Sequence, residues 1–250
     1  MIESRDLVAY CDQLLDAGRF SDYAPNGLQV EGSRPVERLV TGVTASAALI
    51  EAAIEARADA ILVHHGWFWK NENPCLVGPK GRRARRILEA GISLLAYHLP
   101  LDAHPELGNN ARLADELDVR DAEPTQVAKG LVWVGRLSAP MEPESLARHV
   151  ARRLGREPMM VGRRSGPLER IAWCTGGGQG YLEQAAELGI DVFLSGELSE
   201  QTTHQARESE ICYLGAGHHA TERYGVQALG THLAEHFGLQ HLYVEIDNPA

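Results

Sequence analysis

Paired histidines stand where a strand is expected to end, which makes them candidates for metal binding. His64 and His65 directly follow the apolar run AILV. The ends of strands in open α/β sheets are where ligand crevices form. Because neighbouring strand residues point to opposite faces, both histidines can serve one site only where the backbone turns. An HH pair alone is therefore weak evidence, and a structural or surface role stays open.

Two further motifs each join a histidine to a carboxylate four residues later, His98 to Asp102 and His218 to Glu222. The glycines and Thr221 of GHHATERYG predict a helix that begins near His218, which places His218 and Glu222 on one helical face. Pro100 disfavours a helix continuing through His98, so His98 and Asp102 need not bind the same ion. His219 would point away from His218, and we expect a supporting role for it.

Imidazole and carboxylate donors together suit Zn, Fe, Mn, Ni or Co better than Mg or Ca. A carboxylate from each half of the chain could join imidazoles in holding two divalent ions about 3.5–4 Å apart. We expect a dinuclear site whose ligands are His64, His65, Asp102, His218 and Glu222. The chain has 11 histidines, and we expect others to lie at the surface: His149, His204, His232, His236 and His241.

Other motifs allow two interpretations each. The turn GGGQG, with Gly176, Gly177 and Gly178, could bind a phosphate through its N–H groups or be a tight structural turn. The basic stretch 80–86 could meet a triphosphate or be a solvated helix face. The aromatic residues of GWFWK, at 66–70, could stack on a base or form a small core.

The elements that must position these residues alternate along the chain. Helices are predicted over 4–17, 46–57, 82–90, 110–117, 143–154, 180–188, 200–208 and 219–237. Strands are predicted over 38–44, 60–63, 92–97, 131–138, 169–175, 190–194, 211–215 and 240–246. This order predicts an α/β fold of βαβ units with largely parallel sheets.

An internal repeat accompanies the alternation. The segment 42–66 parallels 173–197, each with a Thr after the first strand and an Asp that opens the next strand. The segment AYHLPLD parallels GAGHHATE, so His98 corresponds to His218 and Asp102 to Glu222. We expect two related α/β domains, 1–125 and 126–250, with the metal site at strand ends between them. The crossover, sought in the polar segment 121–130 and the Gly/Arg-rich turn 162–166, is left open, as is a return of the chain to the first domain.

The composition of the chain limits the partners that it can be expected to bind. A net charge of −10 argues against an extended nucleic-acid surface. The four cysteines include no C-x-x-C pair, which disfavours a thiolate zinc site. The N-terminal segment carries acids instead of a basic leader, and no window reaches about 18 apolar residues. We expect a cytoplasmic protein without membrane contact.

Long motifs in this chain resemble the YbgI-like family, also named GTP cyclohydrolase I type 2 homologues. They are VTGVTAS, ILVHHGWFWK, YHLPLDAHPELGNN, WCTGGGQ, SGELSEQT and GHHATERYG. The resemblance implies two α/β domains, a dinuclear metal centre and a toroidal homohexamer. It implies the five ligands named above, with His98 as a neighbour that orients a ligand or transfers protons.

The resemblance also implies a function, opening of the GTP imidazole ring by metal-activated water. The first hypothesis is therefore a metal-dependent hydrolase of a nucleotide-like small molecule, in which the basic stretch or the GGG turn meets the triphosphate. The alternative is a metal-binding scaffold or regulatory protein, assembled as a ring and without turnover. A third hypothesis is a hydrolase of another nucleotide, a damaged nucleotide or a cyclic amide.

Overall fold

The computed structural model describes residues 1–162, 164 and 166–250. Its helices are α1 (Ser4–Leu14), α2 (Ala47–Glu55), α3 (Gly78–Ala90), α4 (Leu99–Ala103), α5 (Asn109–Glu116), α6 (Pro143–Leu154), α7 (Leu182–Ala186), α8 (Glu200–Glu208) and α9 (His218–Phe237). Its strands are β1 (Gly27–Val30), β2 (Arg38–Thr44), β3 (Ala60–His65), β4 (Ser93–Ala96), β5 (Arg120–Pro124), β6 (Trp133–Met141), β7 (Met159–Val161), β8 (Leu168–Cys174), β9 (Val192–Ser195), β10 (Cys212–Gly215) and β11 (Gln240–Tyr243). None of the helices in the described ranges combines the length and the apolarity needed to cross a membrane.

The chain forms two compact units. The first comprises Met1–Leu101 and Gly225–Asp247, and the second comprises Asp102–Tyr224 and Asn248–Ala250. The predicted boundary at 125/126 therefore differs from the observed division, which falls just before Asp102. The chain returns to the first unit within α9, because β11 pairs with β2 in the first sheet.

The sheet of the first unit has the strand order β1-β4-β3-β2-β11. Strands β4, β3, β2 and β11 are parallel, and β1 is antiparallel to β4. Ile61 and Val63 of β3 pack in one apolar cluster with Leu49 of α2 and Ile87 of α3. Because side chains alternate along a strand, His64 points to the face opposite Val63.

The sheet of the second unit has the strand order β5-β6-β8-β9-β10-β7. Strands β8, β9 and β10 are parallel, whereas β5, β6 and β7 join it in antiparallel pairs. Trp173 of β8 packs in a cluster with residues of α5 and α6, while its neighbour Cys174 packs with residues of α7 and α8. Helices therefore cover both faces of this sheet.

Each unit contains the same four-strand arrangement. The order β1-β4-β3-β2 repeats as β7-β10-β9-β8, with an antiparallel edge strand in both. The repeated Asp has the same role in each unit. Asp59 Oδ2 accepts hydrogen bonds from the N–H groups of residues 37 and 38 at 3.1 and 3.0 Å. Asp191 Oδ2 accepts from those of residues 169 and 170 at 2.8 Å each.

Several elements differ from the predicted ones. Strand β3 continues through His65 instead of ending at residue 63, and α3 begins four residues early at Gly78. The elements β1, α4, β5 and β7 were not predicted, and β5 starts the segment expected to be turn-like. Two residues of the predicted 162–166 turn, Arg163 and Ser165, lie outside the described residues.

Candidate metal centre

His64 and His65 end strand β3, and each has one ring nitrogen held by the protein. Nδ1 of the fully buried His64 lies 2.9 Å from the carbonyl oxygen of Tyr97, so Nδ1 carries the proton. Nδ1 of His65 lies 3.3 Å from Oγ1 of Thr44, at the end of the adjacent strand β2. A hydrogen bond at Nδ1 fixes the ring and presents the lone pair of Nε2, the usual arrangement of a metal-binding histidine.

His98 follows β4 and completes a histidine cluster in the first unit. Ring nitrogens of His64, His65 and His98 all lie within 4.8 Å of one another. Nδ1 of His98 donates to Oδ1 of Asp22 at 2.7 Å, and its backbone N–H donates to Oδ1 of Asn26 at 2.8 Å. The His98 ring is therefore held from a loop that the sequence motifs do not mark.

Asp22 is a buried carboxylate that also anchors the start of α4. Its Oδ2 accepts hydrogen bonds from the backbone N–H of Leu99 and from Nδ2 of Asn26, both at 3.0 Å. Burial alone would raise the pKa of Asp22, but the hydrogen bond and charge of His98 outweigh it and lower that pKa to about 2. Asp22 is ionised at neutral pH and is a permanent acceptor for His98.

Aromatic side chains from the GWFWK segment divide between two roles. Trp67 is buried and donates from Nε1 to the carbonyl of Ala45 at 3.0 Å, so it belongs to the core. Trp69 borders the histidine cluster, with its ring centroid 5.1 Å from that of His98 and 5.8 Å from that of His65. The core interpretation therefore fits Trp67, and Trp69 is placed to contact a bound molecule.

The second unit holds the carboxylate donors. Asp102 is 6% exposed, and its Oδ1 accepts from Nδ2 of Asn109 at 2.9 Å and from Oγ1 of Thr175 at 3.3 Å. Glu222 is 3% exposed and lies one turn into α9. Carboxylate oxygens of Asp102 and Glu222 lie within 4.8 Å of each other.

His218 begins helix α9 between two carboxylates. Its Nε2 lies 3.0 Å from Oε2 of Glu222, and its Nδ1 lies 2.7 Å from Oε1 of Glu197. Burial by itself would lower the pKa of His218, but the hydrogen bonds and charges of Glu222 and Glu197 raise it to about 9. Without an ion, a proton on His218 thus offsets part of the negative charge.

The glycine turn after β8 makes room for these donors. Gly176 has φ +60°, and a Cβ there would overlap Oε1 of Glu222 and lie 3.1 Å from Nε2 of His218. The N–H of Gly176 donates to Oγ1 of Thr221 at 3.0 Å, and that of Gly178 donates to Oγ of Ser195 at 2.9 Å. These two N–H groups are used inside the protein, as in a tight structural turn, and phosphate binding by the turn stays a prediction.

The donor chemistry fits divalent metal ions. Two buried carboxylates this close repel each other, and an ion between them removes that repulsion. The mixture of imidazole nitrogen and carboxylate oxygen suits Zn, Fe, Mn, Ni or Co. The described residues therefore provide groups that could bind metal, and the fold explains how each donor is oriented.

Of the predicted residues, the first unit brings His64, His65 and His98 together, and the second brings Asp102, His218 and Glu222 together. His219 is buried, and its backbone N–H donates to the carbonyl of Ala250 at 3.3 Å. Of the histidines expected at the surface, His204 and His236 are exposed. The other three, His149, His232 and His241, are only partly exposed because each bonds a neighbouring group.

Sequence reasoning missed Asp22 and Glu197. A signal for Glu197 exists in the repeat, since it stands six residues after Asp191 as His65 stands six after Asp59. His65 ends β3, and Glu197 follows β9, the equivalent strand of the second sheet. Asp22 lies in a turn-rich segment without a counterpart, and only the fold reveals its contact with His98.

Parallel strands that end in imidazole and carboxylate donors define this chain as an α/β protein with candidate metal-binding sites in both units. The model of the Duf34/NIF3 (NGG1p interacting factor 3) family matches residues 2–249, and the chain belongs to this family. A relative from Allochromatium vinosum named "GTP cyclohydrolase 1 type 2 homolog" is 73% identical, covering 100% of this chain and 98% of that protein. One from Pseudomonas aeruginosa with the same name is 56% identical, covering 98% and 97%.

The fold is also that of solved structures. One titled "Structural genomics, protein ybgI, unknown function" superimposes with a TM-score of 0.95 at 46% identity and covers both chains fully. The expected resemblance to the YbgI-like family and the α/β fold class are thereby confirmed.

Proposed function

We propose that this chain is a dinuclear-metal-dependent hydrolase of a nucleotide-like substrate. In this proposal the histidines of the first unit and the donors of the second hold the ions of one centre. The ligands would be His64, His65, Asp102, His218 and Glu222, and the ions two divalent transition metals. Such ions supply Lewis acidity and an activated water nucleophile.

The main support for the proposal is that the protein already orients the imidazole rings and buries the carboxylates. Backbone and side-chain acceptors set the rings of His64 and His65, and two buried carboxylates lie within 4.8 Å of each other in the second unit. Burying carboxylates so close costs stability unless a cation is bound. A protein that keeps this arrangement gains from binding metal, and hydrolysis is a common use of such centres.

His98 is suited to proton transfer. Because Nδ1 donates to the ionised Asp22, Nε2 keeps a lone pair that can accept a proton from the attacking water. The same nitrogen can return that proton to the leaving nitrogen or oxygen. Asp22 would stabilise the protonated ring during the interval, as a buried carboxylate does for a catalytic histidine.

Opening of the GTP imidazole ring is the first reaction to test, since the relatives are named as homologues of a GTP cyclohydrolase. The nearby ring of Trp69 supports a planar substrate, because aromatic side chains stack on nucleobases. Full-length protein saturated with each candidate metal would be incubated with GTP, and formate release measured. We expect Asp102→Ala and Glu222→Ala to lower the rate at least ~100-fold.

The matched control is Glu200→Ala, which removes an exposed carboxylate from the first turn of α8 and should leave the rate unchanged. Equal trace rates in wild type and both site variants would contradict the assignment to GTP. A nucleotide library screened by ligand-dependent thermal stabilisation would then show whether another nucleotide is the substrate. If no nucleotide is turned over and the assembly of a ring-shaped homo-oligomer depends on metal, the scaffold alternative is favoured.

A further inference from the structure

A cavity of about 450 Å³ lies between helices α2 and α3 of the first unit. This volume falls within the range of small-molecule sites. None of the candidate metal ligands is among the described residues that line it. They are Ala47, Ile50, Glu51, Pro79, Arg82, Arg83, Arg85 and Arg86.

The arginines of α3 lie on neighbouring turns of the helix, and their mutual repulsion destabilises it. Arg82 and Arg85 are three residues apart, and Arg82 and Arg86 are four apart, so like charges face one another on neighbouring turns. Each such pair destabilises a helix by roughly 0.2–0.5 kcal/mol. The first acidic residue on α3 is Glu89, in its last turn. Arg82, Arg85 and Arg86 are exposed, so in a chain of net charge −10 they form a local positive surface that can attract an anion.

Among the described residues, this charge has few acidic partners. Glu72, which is paired with Lys80, also interacts electrostatically with Arg83. Arg86 makes a two-point pair with Glu51 of α2 at 2.7 and 2.6 Å. Within the described part of the chain, Arg82 and Arg85 form no ion pair, and Nε of Arg83 is buried without a hydrogen-bond partner. Buried donors of this kind usually have a partner. The Arg83 guanidinium lies 5.8 Å from the ring centroid of Trp67, which holds it in place.

Part of the cavity lining is apolar, because Ala47, Ile50 and Pro79 line it together with the arginines. We propose that this cavity binds a phosphate monoester with an apolar, ring-containing body, the chemical class that includes nucleotides. The guanidinium fork matches two phosphate oxygens, which a lysine ammonium does not. The ring body would cover the apolar part of the lining and remove it from water.

Glu51 occupies the place that a phosphate would take. Its two oxygens bind Arg86 as two phosphate oxygens would, and it lines the same cavity. A ligand phosphate must therefore compete with the Glu51 carboxylate for Arg86. This makes opposite predictions for two kinds of variant: loss of arginines weakens binding, and loss of the Glu51 charge strengthens it.

The probe is 1-naphthyl phosphate, titrated into the full-length protein as purified, with the affinity measured by calorimetry. We expect the double variant Arg82→Gln, Arg85→Gln to bind about 10-fold more weakly and Glu51→Gln to bind about 3-fold more tightly. The controls are the double variant Arg148→Gln, Arg152→Gln on α6 and the single variant Glu55→Gln on α2, which make the same charge changes at exposed positions outside the cavity. Inorganic phosphate and neutral 1-naphthol should both bind more weakly than the probe.

Absence of probe binding overturns the inference, as does an equal effect of the control and cavity variants. Equal binding of 1-naphthol would show that the arginines contribute nothing, and equal binding of inorganic phosphate would show that the apolar part of the lining contributes nothing. Either result also overturns it. Glu51→Gln keeps the test decisive even if the double arginine variant fails to fold. Binding at the proposed metal centre is distinguishable, because the cavity variants leave all the candidate metal ligands unchanged.

Discussion

At Gly176, the backbone conformation and the proposed metal binding depend on each other. Its φ of +60° lies where a side chain adds strain, and the space beside it is filled by Glu222 and His218. We expect Gly176→Ala to displace the Glu222 carboxylate and to lower the metal content of the purified protein well below that of wild type. Elemental analysis after metal saturation and dialysis would measure this.

Gly180 provides the control for that substitution. It lies four residues along the same turn, and a Cβ there would meet nothing within 4 Å. Gly180→Ala should keep the wild-type metal content. A Gly176→Ala protein that folds and holds as much metal as wild type would show that Glu222 does not need this position to bind.

At the level of helices and strands, the repeated Asp makes the same contacts with a neighbouring strand in both units. Asp59 and Asp191 each hold two consecutive N–H groups at the start of the neighbouring strand. Removing either carboxylate leaves two donors without that acceptor. We expect Asp59→Ala and Asp191→Ala each to lower the free energy of unfolding by about 2–4 kcal/mol, measured by urea denaturation.

The comparison that isolates this effect is Asp247→Ala, which removes an exposed carboxylate near the C-terminus. It should change the free energy of unfolding by less than about 0.5 kcal/mol. A loss as small as this in Asp59→Ala and Asp191→Ala would mean that the bonds to the strand add no net stability.

The elements that sequence could predict have either a strong apolar pattern or a clear start. Helices α6 and α8 have the predicted bounds, as does β2. Leu146, Val150 and Leu154 give α6 a regular apolar face, whereas α8 is marked by its cap. Ser199, for example, caps α8 by accepting from the N–H of Thr202 at 3.2 Å. Short edge strands such as β1 and β7 escaped prediction, since pairing with a distant strand, not a local pattern, makes them strands.

The residues of the candidate site also divide into those that the sequence could predict and those that it could not. Histidines and carboxylates at the ends of buried strands could be proposed from the sequence, because parallel strands bring their ends to one sheet edge. Asp22 could not, since its contact with His98 joins residues 76 positions apart through a loop. The boundary between the two units could not be predicted either, because only the pairing of β11 with β2 shows where the chain returns to the first unit.

At the level of the whole molecule, the proposal requires that donors from both units serve one centre. A ligand that binds only the folded protein stabilises it by RT ln(1 + [L]/Kd), about 4 kcal/mol at a thousandfold excess over Kd. Metal addition should therefore raise the free energy of unfolding of wild type. We expect His65→Ala, in the first unit, and Glu222→Ala, in the second, each to remove most of that gain.

The double variant decides whether the two donor sets cooperate. If they hold one centre, His65→Ala combined with Glu222→Ala loses little more metal-dependent stability than either single variant, because each already disrupts the shared site. If each unit binds its own ion, the two losses add. His204→Ala and Glu200→Ala, which remove an exposed histidine and carboxylate from α8, should leave the metal response intact. Strict additivity in this cycle, with folded variants, would refute the shared centre while leaving each donor set as a separate metal site.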